Sequence, residues 1–182
     1  MTKKLSEMTL EELWQLFPII LSEHSDNWQS YYLEEEAALK RILPGSAIIT
    51  HIGSTAIPNI WAKPIVDILV EVDGETMNSV AASLSNNGYI IMSRAKNRIS
   101  LNKGYTEQGF ASKVFHLHLR CYGDNDEIYF RDYLIAHPEV AKQYEALKLS
   151  LWKQYEHDRD GYTEAKGEFV KKYTAIAKER IK

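Results

Sequence analysis

Apolar positions follow three regimes along the chain. Near the N-terminus they recur at helical spacing, with Leu10, Leu13, Trp14 and Phe17 at i, i+3, i+4 and i+7. Thr9 and Glu12 supply a capping box for this segment. Pro18 closes the helix at Phe17, since proline cannot donate the next helical hydrogen bond. A short extended stretch over 18–21 follows. Ser25-Asp26 then caps a longer helix over about 27–43, with Trp28, Tyr32, Leu39 and Ile42 on its apolar face. Glu34, Glu35 and Glu36 read as its solvated face, and Pro44-Gly45 ends it.

In the middle of the chain the period shortens to that of strands. β-branched runs predict strands over about 47–52 and 65–71, the second broken by Asp73-Gly74. A helix over 75–87 stops at Asn86-Asn87-Gly88, residues that tolerate left-handed backbone. Tyr89 to Met92 reads as a strand, and Ile99 to Leu101 as a weaker one ending in a Lys103-Gly104 turn. The polar stretch from Tyr105 to Ser112 reads as a loop. Val114 to Cys121 is the clearest strand: His116, His118 and Arg120 share one face, and Phe115, Leu117 and Leu119 the other.

From Glu127 the helical period returns, with a boundary at His137-Pro138. Val140, Tyr144, Leu147 and Leu151 form one stripe. Asp158 to Gly161 separates it from a final helix carrying Ala165, Phe169, Tyr173 and Ile176 inward. Strands in the middle and helices at both ends predict an α+β fold. The chain reads as one domain over 1–182, with N-terminal helices over about 9–43, a sheet core over 47–121 and C-terminal helices over 127–181.

Composition narrows the function classes. A 45% hydrophobic fraction in 182 residues supports a sizeable core. The net charge of −3 argues against an extended nucleic-acid or anionic-membrane surface, although a local basic pocket stays compatible with it. Cys121 is the single cysteine, which excludes an intrachain disulfide framework and a cysteine-based zinc site. With no apolar leader and no run of membrane-spanning length, the expectation is a cytoplasmic protein.

The chemistry concentrates in His51-Ile-Gly-Ser-Thr-Ala-Ile-Pro58 and in Lys63-Pro-Ile-Val-Asp-Ile68. A Gly-Ser turn after a strand brings backbone N–H groups and a hydroxyl to an anion, because glycine lets the backbone approach closely. A carboxylate inside an apolar strand, Asp67, needs a partner, since burying an unpaired charge is costly. Together they suit phosphates on Gly53 and Ser54 and a divalent cation on Asp67. Taken alone, Gly53-Ser54 is as readily a plain strand-ending turn. Lys63 adds a point charge beside the cradle, or is a surface lysine. His116 and His118 could share a metal or flank a phosphate, or belong to an exposed sheet face. By pattern alone, Arg131, Lys148, Tyr162 and Lys166 on the C-terminal helices support no functional claim.

These motifs, with His116-Leu-His118, Phe130-Arg-Asp-Tyr-Leu134, His137-Pro138, Tyr144 to Lys148 and Tyr162-Thr-Glu-Ala-Lys166, resemble the GrpB family. That family is related to the nucleotidyltransferase superfamily that includes DNA polymerase beta. The resemblance runs from about residue 10 to the C-terminus. It implies a nucleotidyltransferase-like mixed sheet flanked by helices, with further C-terminal helices. It also implies nucleotidyl or phosphoryl transfer on a small nucleotide-like substrate, or a non-catalytic receptor for such a ligand. The residues implied are Asp67, His116 and His118 for chemistry, and His51, Gly53, Ser54, Thr55, Lys63, Arg120, Arg131 and Lys166 for phosphate. Mg²⁺ or Mn²⁺ would sit on Asp67 with His116 or His118. The sequence departs from the superfamily at one telling place: Leu69 stands where a second strand carboxylate belongs. Glu71 lies ~6–7 Å further along the strand face.

Overall fold

The computed structural model describes residues 3–180. Five strands form one mixed sheet: β1 (Ile48–Ile52), β2 (Val66–Val72), β3 (Ile90–Ala95), β4 (Arg98–Thr106) and β5 (Gly109–Cys121), in the order β1-β2-β5-β4-β3. β2 and β5 run parallel, and the other neighbours are antiparallel. The helices are α1 (Leu10–Leu16), α2 (Asn27–Lys40), α3 (Met77–Asn86), α4 (Asp126–Ala136), α5 (Pro138–Trp152), α6 (Arg159–Ala165) and α7 (Gly167–Glu179). This is the expected α+β arrangement, a mixed sheet flanked by helices with additional helices at the C-terminus. Position 181, the expected end of the last helix, lies outside the described residues, as do Met1 and Thr2 of the leader reading.

Strand alternation divides the sheet into two chemically different faces. On one, Val66, Ile68, Val70 and Val72 of β2 join Phe115, Leu117 and Leu119 of β5 and Ile99 and Leu101 of β4. Trp28, Tyr32 and Leu39 of α2 and Met77, Val80, Ala81 and Leu84 of α3 cover that face and complete the main core. The opposite face carries Asp67, His116 and His118. A second cluster there joins Ile57 and Ile60, in the β1–β2 connection, to Phe130, Leu134, Val140 and Tyr144 of α4 and α5. The C-terminal helices therefore stand over the polar face of the sheet.

Several expectations are corrected. The expected loop over 105–112 is instead the end of a β4–β5 hairpin, and β5 is 13 residues long. Its outer end lies outside the main core and packs through Phe17, Tyr105 and Phe110, so it carries no apolar alternation. The Lys103-Gly104 turn is a bulge within β4, where Gly104 has φ +91° and the Lys113 backbone passes too close for a Cβ. Glu35 is not on a solvated face: it is buried, accepting from Tyr89 Oη at 2.8 Å and pairing with Lys103 at 2.7 Å. α2 stops at Lys40, short of 43. The extended stretch over 18–21 forms no strand: Ile19 N donates to the Glu156 carbonyl at 2.8 Å, and the adjoining Ser22 makes an isolated bridge to Ala62. α1 keeps its capping box, but no residue of it is buried.

Candidate functional site

Ile52 ends β1 opposite Asp67, and the chain then turns at Gly53 into a single 3-10 turn, Ser54–Ala56. Gly53 adopts φ +73°, a left-handed conformation that strains other residues. A Cβ there would come within 2.6 Å of Asp67 Oδ2. The glycine thus lets the backbone close over the carboxylate. In the parallel register Asp67 lies beside His116 and Leu69 beside His118, so the three polar groups meet on one face.

Asp67 is held by the two histidines. His118 Nε2 donates to Asp67 Oδ1 at 3.1 Å, and His116 Nδ1 lies 3.6 Å from the same oxygen. Tyr105 Oη donates to His116 Nε2 at 2.7 Å, and Arg159 Nη2 approaches that nitrogen at 3.3 Å. With Nε2 accepting, the His116 proton belongs on Nδ1, facing Asp67. Burial by itself would raise the Asp67 carboxyl, but hydrogen bonding from His116 and His118 outweighs it and holds the group well below the carboxylate range. Burial pushes His116 down to about 4, so the imidazole is neutral beside the ionised carboxylate at pH 7.

These groups form the floor of a cavity of about 780 Å³. Its other wall comes from the C-terminal helices. Lys148 of α5 donates to Ser54 Oγ at 3.0 Å and also to the Trp61 carbonyl. Lys63, Lys166 and Arg159 line the same cavity. Among the described residues none of these four cations pairs with a carboxylate. Lys148 lies over the Tyr144 ring at 4.9 Å and Lys166 over the Tyr162 ring at 4.2 Å. Burial lowers Lys63 to about 8 and Lys148 and Lys166 to about 7, with the lysines' mutual repulsion adding to the effect on the last two. Lys148 is 2% exposed, whereas Lys63 and Lys166 keep partial access through the cavity. The Tyr162 hydroxyl is fully buried at the cavity wall and has no hydrogen-bond partner among the described residues.

Of the residues expected to meet a phosphate, the structure brings Gly53, Ser54, Thr55, Lys63 and Lys166 to the cavity with Asp67, His116 and His118. It does not bring His51, Arg120 or Arg131 to it. His51 turns away, with Nδ1 donating to Gln29 Oε1 at 3.2 Å and its ring stacked on Tyr32 at 4.7 Å. Its Nε2 accepts from Thr55 Oγ1 at 3.0 Å, so this histidine braces the turn from behind. Arg120 is buried beside Glu127 at 3.6 Å, and Arg131 donates to the His51 carbonyl at 2.6 Å. Glu71 is likewise engaged, accepting from Gly123 N at 2.9 Å and Asn125 Nδ2 at 3.1 Å.

Pattern alone assigns no role to Lys148, Tyr162 or Arg159. One signal was present: Tyr144 with Lys148 and Tyr162 with Lys166 repeat the same i, i+4 pair, which places each lysine over its tyrosine on one helix face.

The donor set is a poor fit to a divalent cation. Leu69, two residues from Asp67 on the same strand face, is fully buried and supplies no oxygen, one oxygen of Asp67 is taken by histidine, and lysines crowd the cavity. Among the described residues no group of three or more His, Cys, Asp or Glu side chains is placed to hold a metal ion. No helix among them is long and apolar enough to cross a membrane.

Comparison with known proteins agrees with the motif reading. The family model described as GrpB protein matches residues 18–175. The glutamate-rich protein GrpB of Alkalihalophilus pseudofirmus is 40% identical over 162 residues, covering 84% of this chain and 91% of the relative. UPF0157 protein YqkA of Bacillus subtilis is 34% identical over 180 residues, which are 93% of this chain but 51% of that protein. The chain thus spans about half the length of this second relative. The crystal structure of the conserved protein GrpB from Enterococcus faecalis superimposes with a TM-score of 0.77 at 30% identity, covering 89% of this chain and 99% of that one.

Proposed function

The chain belongs to the GrpB protein family, and from that premise we propose that its cavity receives a small phosphorylated, nucleotide-like ligand. The observation that carries this reading is the convergence of Lys63, Lys148, Lys166 and Arg159 on one cavity whose central carboxylate is Asp67. Buried cations without ionic partners are costly, and an anionic ligand offsets that cost. The volume of about 780 Å³ suits a nucleotide-sized molecule. Gly53 and Ser54 close one side of the phosphate position, while Tyr144 and Phe130 give the cavity apolar surface for the remainder of the ligand.

A second reading, phosphoryl or nucleotidyl transfer, is favoured by one specific contact, His118 Nε2 to Asp67 Oδ1 at 3.1 Å. His118 is a quarter exposed and lines the cavity, and the Asp67 carboxylate holds its imidazole in one orientation, as a group that takes a proton from an attacking hydroxyl requires. Thermal-shift titration with nucleoside mono-, di- and triphosphates tests the first reading: stabilisation by phosphorylated compounds and not by nucleosides is expected. Absence of any shift, with or without Mg²⁺ or Mn²⁺, overturns it. Turnover of a bound nucleotide that disappears in His118→Gln would establish the second.

A further inference from the structure

We propose that Lys148 and Lys166 take the electrostatic place of a divalent cation, so that this cavity holds the di- or triphosphate tail of its ligand without metal. The inference rests on the phospho-ligand reading above and specifies its ligand class.

The first support is the state of Asp67. Its Oδ1 receives His118 and is approached by His116, and its Oδ2 lies against the Gly53 backbone. Leu69, two residues along the same face of β2, supplies no oxygen. A cation held between paired carboxylates, which bridges phosphate oxygens in metal-dependent transfer, has no counterpart in this set.

The second support is what stands across the cavity. Lys148 is 2% exposed, yet its partners are two neutral oxygens, Ser54 Oγ and the Trp61 carbonyl. Lys166 makes no ion pair among the described residues, and its ammonium is over the Tyr162 ring. Neither lysine has a charge partner that explains its depth. The lining also holds Arg98, Lys171, Lys178, Asp126 and Glu127, but Asp126 pairs with Lys178, Glu127 with Arg120, Arg98 with Asp124 and Lys171 with Glu168. That leaves Lys63, Lys148, Lys166 and Arg159 facing the Asp67 carboxylate. A bound anion favours the charged form of each lysine, and against that fully protonated set a phosphate monoester, at about −1.5 to −2 at pH 7, leaves part of the excess uncompensated. A second phosphate makes up the difference.

The third support is independent of charge. Tyr162 is a completely buried residue of the cavity lining, and its hydroxyl has no hydrogen-bond partner among the described residues. Buried hydroxyls are rarely left unmade, because an unsatisfied donor forfeits its water contacts without replacement. A phosphate oxygen would accept from it once Lys166 moves off the Tyr162 ring toward the ligand.

Calorimetric titration of the full chain with inorganic pyrophosphate, tripolyphosphate and orthophosphate, in EDTA and again in excess Mg²⁺, tests the inference. Pyrophosphate is expected to bind in EDTA at least about tenfold more tightly than orthophosphate, a difference of one decade in Kd. Mg²⁺ should not tighten it. Lys166→Met should lose about a decade in pyrophosphate affinity with its melting transition retained, and Lys148→Met gives a second variant should the first fail to fold. Pyrophosphate binding that requires Mg²⁺ would overturn the inference and leave the phospho-ligand reading standing. Equal affinity for orthophosphate and pyrophosphate would overturn it too, as would wild-type affinity in the folded lysine variants. No binding of any of the three probes in either condition would overturn both.

Discussion

Lys148 Nζ donates a hydrogen bond to Ser54 Oγ at 3.0 Å, joining positions 94 residues apart. One end is the turn that follows β1, the other the middle of α5. The bond fastens the C-terminal helices to the Gly-Ser turn and sets one wall of the cavity relative to its floor. Ser54→Ala should cost about 0.5–1.5 kcal/mol of stability, read by urea unfolding. It should also weaken pyrophosphate binding, since Lys148 then lacks its cavity-side anchor. Unchanged affinity would show that the turn and the lysine act independently.

The protonation of Lys148 links stability to pH. Its folded value is lowered to about 7 by burial, with Lys63 repulsion adding to it and Glu145 opposing it, whereas an unfolded lysine titrates near ~10.4. Between these values the unfolded chain binds more protons, so this group makes stability rise with pH, by up to about 1.4 kcal/mol per unit. Below about pH 7 both states are protonated and its slope vanishes. Unfolding free energies from pH 7 to 10 should therefore climb more steeply in the wild type than in Lys148→Met. Parallel curves would refute the lowered titration of the buried Lys148 side chain.

At Gly53 the backbone requirement and the carboxylate contact coincide. Gly53→Ala must adopt φ +73° and also push a methyl group against Asp67 Oδ2. The expected loss is about 1–3 kcal/mol for the strained conformation alone, with a shifted pH profile for ligand binding because Asp67 is displaced. Gly45, where nothing lies within 4 Å of a Cβ and φ is ordinary, provides the control: Gly45→Ala should be near neutral.

Asp67 separates the two functional readings. Asp67→Asn removes the negative charge facing the four cations, so polyphosphate binding should tighten by roughly 3- to 10-fold. Any transfer activity should fall, because His118 loses its ionised partner. Calorimetry and a turnover assay on one variant thus move in opposite directions if the protein is an enzyme. Tighter binding with no activity in the wild type would favour a receptor.

His51 should behave as a structural residue. Burial lowers it to about 4, against the unfolded ~6.5. Between those values the folded state binds fewer protons, so stability falls as pH drops from about 6.5 toward 4. His51→Gln should flatten that acid limb and cost about 1–3 kcal/mol through the lost contacts to Thr55 and Tyr32. Polyphosphate affinity should change far less than in Lys166→Met. A loss as large would place His51 in the binding site after all.

The main strands and helices were legible because burial on one face imposes a period on the sequence. β1, β2, α3 and the inner half of β5 lie within a residue or two of their expected spans for that reason. The β4–β5 hairpin was not, because its outer end leaves the core and carries no alternation, and Gly104 there marks a bulge that resembles a turn. Glu35 was misread for the converse reason: a charged residue in a run of glutamates gives no sign that Lys103 and Tyr89, far along the chain, will surround it.

By itself the sequence determined the α+β class and the Gly53-Ser54 turn with Asp67 on the next strand, which follow from strand alternation and residues close together, and its motifs determined the family, whose resemblance implied the mixed sheet. It also placed His116 and His118 on one strand face. Only the tertiary structure decided that they close on Asp67, since that depends on the parallel register of β2 with β5. It alone decided that His51, Arg120 and Arg131 turn elsewhere, and that Lys148, Arg159 and Tyr162 turn inward. A lysine on a helix looks the same in sequence whether water or a cavity lies beyond it; the packing of α5 and α6 over the sheet's polar face makes the difference.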